Sequence, residues 1–302
     1  MGFDSQIGIV TQGPRLGVGT RVVGNTVNDV WYGIAAVGDD HRLADNRITG
    51  SGLALWTSGD RLLVQNNTAT NNSAGYVDAA PPYVTTLGNR IEGNILKQNT
   101  LGLGVYSQGS TLRDNRLANN ERNFQARNAH DIDRSNTVDG KPIVYLVGGF
   151  NVVVDGNQAG VDPGYLGIVD SQEVTVRNLD MAHNGDGVLI QSSDGVEVTN
   201  VTASAVYNGV TLTDVDTGTV EDVTVTNATN GILAAGSDMT LEDANLEAEQ
   251  IGVAPWGGWC EHRERHHHRG PERRSSGLWH DGLHSPGRHH EKRCHRSAGP
   301  PR

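Results

Sequence analysis

"GVLIQSSDGVEVTNVTASAVYNGVTLTDVDTGTVEDVTVTNATNGILAA", residues 187–235, repeats itself. A glycine followed by a short apolar run opens at Gly187, Gly209 and Gly231, and outward from these at Gly167 and Gly252, in steps of 20, 22, 22 and 21 residues. A second marker, Asn178, Asn200, Asp222 and Asp243, keeps steps of 22, 22 and 21. A third, Asn184, Asn208 and Asn230, sits close before the next glycine. Markers that keep step with one another indicate a stacked repeat.

Within each unit, "VEVTNVT" and "TVEDVTVTN" alternate apolar and polar residues as short strands do. The turns are Asn, Asp and Gly, which tolerate positive φ. Apolar residues at helical spacing are missing. A unit this small cannot bury its own apolar face, but coils stacked at about 4.8 Å share a continuous core. Val176, Val198 and Val220, 22 apart, should stack inside, and Asn178, Asn200, Asp222 and Asp243 should form a side-chain ladder. The expectation is an all-β, right-handed, single-stranded parallel β-helix of about ten coils, 20–24 residues each. Propeller blades need ~40 or more residues and an aromatic signature, which is lacking.

The N-terminal half has the same grammar with looser spacing, in "GIAAVGDDHRLADNRI" from Gly33, "GLALWTSGDRLLVQNN" from Gly52 and "GVYSQGSTLRDNRL" from Gly104. Pairs such as Asp45-Asn46, Asn66-Asn67 and Asp114-Asn115 separate the strands. Residues 73–88 and 119–140 break the period and read as bulging loops.

Residues 1–251 carry 14 Lys+Arg against 30 Asp+Glu, whereas 252–302 carry 10 against 5. An acidic body repels nucleic acid and anionic membranes. Its only lysines are Lys97 and Lys141, a balance typical of proteins soluble in high salt. No apolar run approaches the ~18 residues of a membrane span. The first residues, "MGFDSQIGIVTQGPRLG", lack a signal-peptide layout.

"SNTVDGKPIVYL", residues 135–146 with Asn136, Gly140, Lys141 and Pro142, resembles a segment of the NosD-like family. "GYLGIVDSQEVTVRNLDMAHNGDGVLI", residues 164–190, is similar to that family too, and the resemblance covers roughly residues 15–254. It implies a right-handed β-helix in the periplasm or at the cell surface. Some members serve copper delivery to nitrous-oxide reductase, and many are surface proteins without a defined role.

After Gly252 the repeat stops. From residue 255 onward there is no Ile, Val, Thr, Asn, Gln, Tyr or Phe, while nine of twelve histidines and both cysteines fall there. A shifted reading frame accounts for this: GAC GTC ACC, coding Asp-Val-Thr, gives CGT CAC, Arg-His, when read two bases late. Cys260, His262, His266, Cys294 and His295 lack the spacing of a zinc site. The division expected is therefore a β-helix over 1–254, truncated at both ends, and a disordered His/Arg-rich frameshift product over 255–302. Open solenoid ends would invite self-association.

Three constellations could carry chemistry. Asp180, His183 and Asp186, with Asp214 and Asp216 further on, could pair carboxylates as glycoside hydrolases do. Polygalacturonase-type Asp-Asp, Gly-His-Gly and Arg-Ile-Lys blocks are absent. Asp39, Asp40, His41 and Arg42 could bind metal or sugar, or form a solvated turn. Met181 and His183 are a soft and an imidazole ligand for copper. Each set also fits ordinary turn filling, and no catalytic residue or cofactor is assigned. Sequons begin at Asn66, Asn71, Asn200 and Asn227. The expected function is a non-catalytic exported or cell-surface scaffold binding carbohydrate or a protein partner. The alternatives are a polysaccharide-active hydrolase, lyase or epimerase and a periplasmic copper-handling accessory protein.

Overall fold

The computed structural model describes residues 7–13, 19–79, 87–256, 258–263 and 291–296, the last two spans as backbone alone. Among the described residues every regular element is a strand. They form a parallel β-solenoid of about 11 turns, in two stacks.

The first stack has three faces. One holds Ile7–Gln12, Tyr32–Val37, Leu53–Ser58, Ala74–Asp78, Leu101–Val105 and Arg122–Ala126, all parallel. The next face runs from Arg21–Val23 to Asp131–Ile132, and the third from Thr26–Asn28 to Thr137–Val138. Register stacks inward side chains coil upon coil: Ile34, Leu55, Tyr76, Leu103 and Phe124 on the first face, Leu43, Val64, Ile91, Leu112 and Ile132 on the second. Ile48, Ala69, Leu96, Leu117 and Val138 fill the third. Burying a side chain of this size contributes about 1.5–3 kcal/mol. Three columns at right spacing therefore hold coils that no single unit could hold.

Each corner is turned by a residue in the left-handed region: Asp45, Asn66 and Asp114 in one column, Asp29, Asn71, Gln98 and Asn119 in another. Asn and Asp are the L-residues that tolerate this best. After each except Asp29, which Val30 follows, comes an inward asparagine. Asn94 is representative. Its Oδ1 accepts from the backbone N–H and side-chain amide of Asn67 (2.9 and 3.0 Å), and its amide donates to Val64 C=O and Asn115 Oδ1 (both 2.9 Å). The same pattern links Asn46, Asn67, Asn94, Asn115 and Asn136. A second ladder links Asn72, Asn99, Asn120 and Asn123.

Residues 119–140 are not a bulge. Arg122–Ala126, Asp131–Ile132 and Thr137–Val138 are a full coil in register. The sequence hid it because Arg122-Asn123-Phe124 opens its strand where other coils have Gly-apolar. In 73–88, Ala74–Asp78 is likewise a regular strand, and residues 80–86 lie outside the described ones.

Beyond Val138 the chain reverses at Asp139 and Gly140, both at positive φ, and Lys141–Val147 pairs antiparallel with Thr137–Val138. "GKPIVYL" is thus the start of the second stack. Its coils keep 22-residue offsets, 21 in the last, and Val176, Val198 and Val220 stack buried as expected, with Val154 joining their column. Asn178, Asn200, Asp222 and Asp243 all turn one outer corner at positive φ. The amide chain there runs Asn200 to Asn178 to Asp155, each link 2.8 Å.

Two sequence markers need correction. Asn184 is out of step: Asn208 and Asn230 stack on Asp186. Gly167 faces Leu189 rather than Gly187. The true glycine column is set by close approach: a Cβ on Gly187, Gly209 or Gly231 would meet the next coil's glycine carbonyl oxygen at 2.4, 2.6 or 2.3 Å. In the tail, Gly258–Arg263 and Glu291–Arg296 pair antiparallel. Pro255 and Trp256 still belong to the strand Asn245–Trp256, so the expected boundary at 254 falls inside a strand, and the expectation of disorder for the other residues from 257 onward lies outside the described residues.

Candidate ligand-binding groove

The left-handed corner that leads into the first face leaves a trough along the solenoid axis. Over five successive coils it is lined by Asp29 to Trp31, Gly50 to Gly52, Asn71 to Ser73, Gln98 to Thr100, and Asn119 with Glu121, enclosing about 820 Å³. The ladder of Asn72, Asn99 and Asn120 is its floor, so each coil's outward residues are fixed relative to the next. The side-chain amides of Asn71, Gln98 and Asn119 make no hydrogen bond within the described residues. Trp31 stands 45% exposed at one end, edge-on to Tyr32 with ring centroids 6.4 Å apart.

The trough crosses from one stack to the other. Asn123 donates to His183 C=O through its backbone N–H (2.6 Å) and its side-chain amide (3.1 Å). Gly185 N–H donates to Phe124 C=O at 2.9 Å. A second stretch of about 570 Å³ shares Asn119 and Glu121 with the first and continues past Arg122, Asp139 and His183 to Asn227 and Glu249. Arg122 lies over the Tyr207 ring, 4.9 Å from its centroid.

The sequence candidates do not form one cluster. Asp186 is fully buried, and its carboxylate accepts from Arg127 (2.6 and 3.1 Å), Asn208 Nδ2 (2.9 Å) and Thr211 Oγ1 (2.6 Å). Burial opposes the charge of Arg127, but the Asp186 carboxylate more than offsets it and holds the guanidinium above its usual range. Asp180 is on an outer face beside Thr202. Asp214 and Asp216 follow the six-residue strand Asn208–Thr213, whose start stacks on Asp186, so that strand's length, about 20 Å, separates them from it. Met181 is core, 1% exposed, while His183 turns the exposed corner. Among the described residues no three His, Cys, Asp or Glu are placed to hold a metal.

"GDDHR" is a corner. His41 is buried, its Nδ1 accepts from Thr20 N–H (2.8 Å) and its Nε2 meets Val37 C=O (3.0 Å). Asp39 and Asp40 pair with Arg61 on the next coil. His130 repeats this role: Nδ1 accepts from Ser110 N–H (3.1 Å) and Nε2 meets Arg127 C=O (2.6 Å). Burial first of all pushes its pKa down to about 4. Asp78, unnoticed in the sequence, is buried inside the first stack. It accepts from Thr57, Asn89 and Ser107, and burial raises its pKa despite those bonds. An inward acid at a strand end between apolar residues was the only signal for it. The trough itself was legible only as the spacing of Asn71, Gln98 and Asn119, which no motif singles out.

Among solved structures, the A-module of the Azotobacter vinelandii mannuronan C-5 epimerase AlgE6 is 15% identical, with 78% of each chain covered and a TM-score of 0.29. PfbA, a surface adhesin of Streptococcus pneumoniae, is 9% identical over 74% of this chain and 71% of that one, also at 0.29. At that similarity neither speaks to what this chain binds. No curated protein matches in sequence. The family model for the right-handed β-helix region matches residues 8–159 and 122–251. With the stacked coils, inward columns and asparagine ladders in place, the chain belongs to the right-handed β-helix family.

Proposed function

We propose that the solenoid, residues 1–254, is a non-catalytic, exported or cell-surface scaffold of the NosD-like kind whose axial trough holds an extended glycan. One observation supports this above others: the first stretch of the trough spans five coils, adjoins the second at Asn119 and Glu121, and presents the unpartnered amides of Asn71, Gln98 and Asn119 at one-coil intervals. A rigid floor means little ordering cost on binding. An enzyme needs acids converging on one bond, and Asp180, Asp186, Asp214 and Asp216 lie on different faces and strand ends. A copper role would need more soft ligands than Met181, which is turned into the core, and His183.

Affinity electrophoresis of the protein through gels containing soluble polysaccharides tests the reading. Retardation by at least one polysaccharide is expected, with the Asn71→Ala/Gln98→Ala double variant bound about tenfold more weakly, since each lost hydrogen bond costs about 0.5–1.5 kcal/mol. Retardation identical in wild type and variant would remove the trough from the binding surface. For residues 255–302 we retain the frameshift reading. Resequencing the gene from codon 245 should restore Gly-apolar coils in a corrected frame; an intact frame would end that reading.

A further inference from the structure

Taking the trough to be a glycan site, we infer that it selects an uncharged, extended 1,4-linked pyranose chain and reads it one sugar per coil. Two features of the lining carry this. The first is charge. Four carboxylates, Asp29, Glu121, Asp139 and Glu249, are spread along both stretches of the trough. Arg122, the one arginine among its described lining residues, is stacked on Tyr207 rather than held out for a ligand. The body around it carries 14 basic against 30 acidic residues. A uronate or sulfated chain would bring one negative charge after another against this surface, and a site rejects such a ligand by like-charge cost.

The second feature is spacing. Asn71, Gln98 and Asn119 occupy the same corner position in consecutive coils, each at positive φ, so their amides are offset by the inter-strand distance of about 4.8 Å. An extended 1,4-linked pyranose chain advances by nearly that much per sugar. Each amide, a donor and an acceptor in one side chain, then meets the hydroxyls of its own residue along the chain. Ser73 and Thr100 add a hydroxyl on the next position of two coils. Trp31, two coils beyond Asn71 in the same trough and 45% exposed, adds an aromatic ring at that end.

Titration calorimetry with two oligosaccharide series, neutral 1,4-linked hexoses and 1,4-linked uronates from two to eight sugars, tests the inference. Affinity for the neutral series should rise with each sugar up to about five, the number of coils in the first stretch, and level off after it. The uronates should bind at least tenfold more weakly at low salt. Glu121→Gln/Glu249→Gln should tighten uronate binding by roughly threefold at low salt, and no change in uronate binding would overturn the charge argument. Uronates binding more tightly than neutral chains, or neutral affinity independent of length, would overturn this inference. In either case the trough still stands as the site, provided Asn71→Ala/Gln98→Ala weakens whatever binds. Absence of binding by every oligosaccharide and every polysaccharide would overturn both.

Discussion

His130 is buried as a neutral ring because its Nδ1 must accept a backbone N–H while its Nε2 faces a carbonyl. Protonation would remove the acceptor and bury a charge. With its pKa depressed to about 4, the stability this residue contributes is complete above its unfolded value and is lost as pH falls toward 4. The loss amounts to at most about 3 kcal/mol. Urea denaturation at pH 7 and pH 4.5 should show the fall, and His130→Asn should flatten it, because Asn89 serves the same corner role for Leu62 N–H. Asp78 works in the opposite sense. Its pKa is raised, so its contribution is greatest at low pH and is lost as pH rises through the folded value. Asp78→Asn should therefore raise the urea midpoint at pH 8 and leave it nearly unchanged at pH 4. Asp78→Leu should lower it at pH 8, by leaving the donors of Asn89 and Ser107 unmatched.

At the scale of the strand and its corner, the asparagine ladders decide whether coils stack. Asn94→Ala would strand the N–H of Asn67 and the C=O of Val64 inside the stack, at a cost of about 2–4 kcal/mol. Chemical denaturation of that variant beside Asn66→Ala, which changes an exposed corner residue, should separate the two kinds of asparagine by most of that amount. The sequence made the strands of the second stack legible because Val176, Val198 and Val220 repeat at one interval. It made those of the first stack harder to place because Leu63 pairs with Arg42 below and Arg90 above, at unequal chain distances. It could not reveal which Asn of each pair turns inward. Asn66 and Asn67 differ only in φ and burial, and both follow from the stacking itself. Candidate chemistry misled for a related reason: Asp186 and His41 look reactive in isolation, yet their atoms are consumed by neighbours 22 and 21 residues away.

Over the whole molecule, two stacks are joined at a seam. Phe124 and Tyr165 meet edge-on with centroids 4.8 Å apart, and Arg127 reaches Asp186 from one stack to the other. Removing one partner of a buried pair strands the other, at about 3–5 kcal/mol. In a solenoid, where each repeat contacts only its neighbours, that cost falls on the seam. Arg127→Leu should raise hydrogen exchange at residues 183–191 well before it does so at 42–70, as mass spectrometry of peptides would record. Equal loss of protection throughout would mean that the stacks unfold as one unit.

The glycine column has a neighbour with its own consequence. The chain contains three Asn-Gly pairs, at Asn184, Asn208 and Asn230, and all three asparagines are buried. Asn-Gly is the dipeptide that ages fastest in water, because the glycine nitrogen can attack the side-chain carbonyl and close a succinimide. Here Asn208 is tied to Asp186 and Asn230 to Asn208, each at 2.9 Å, while Asn184 donates to Gly164 C=O at 2.7 Å. Those bonds fix the side-chain amides in the folded coil. Deamidation is thereby coupled to opening of the coil, and the three sites form a chemical clock that runs only while the second stack is undone.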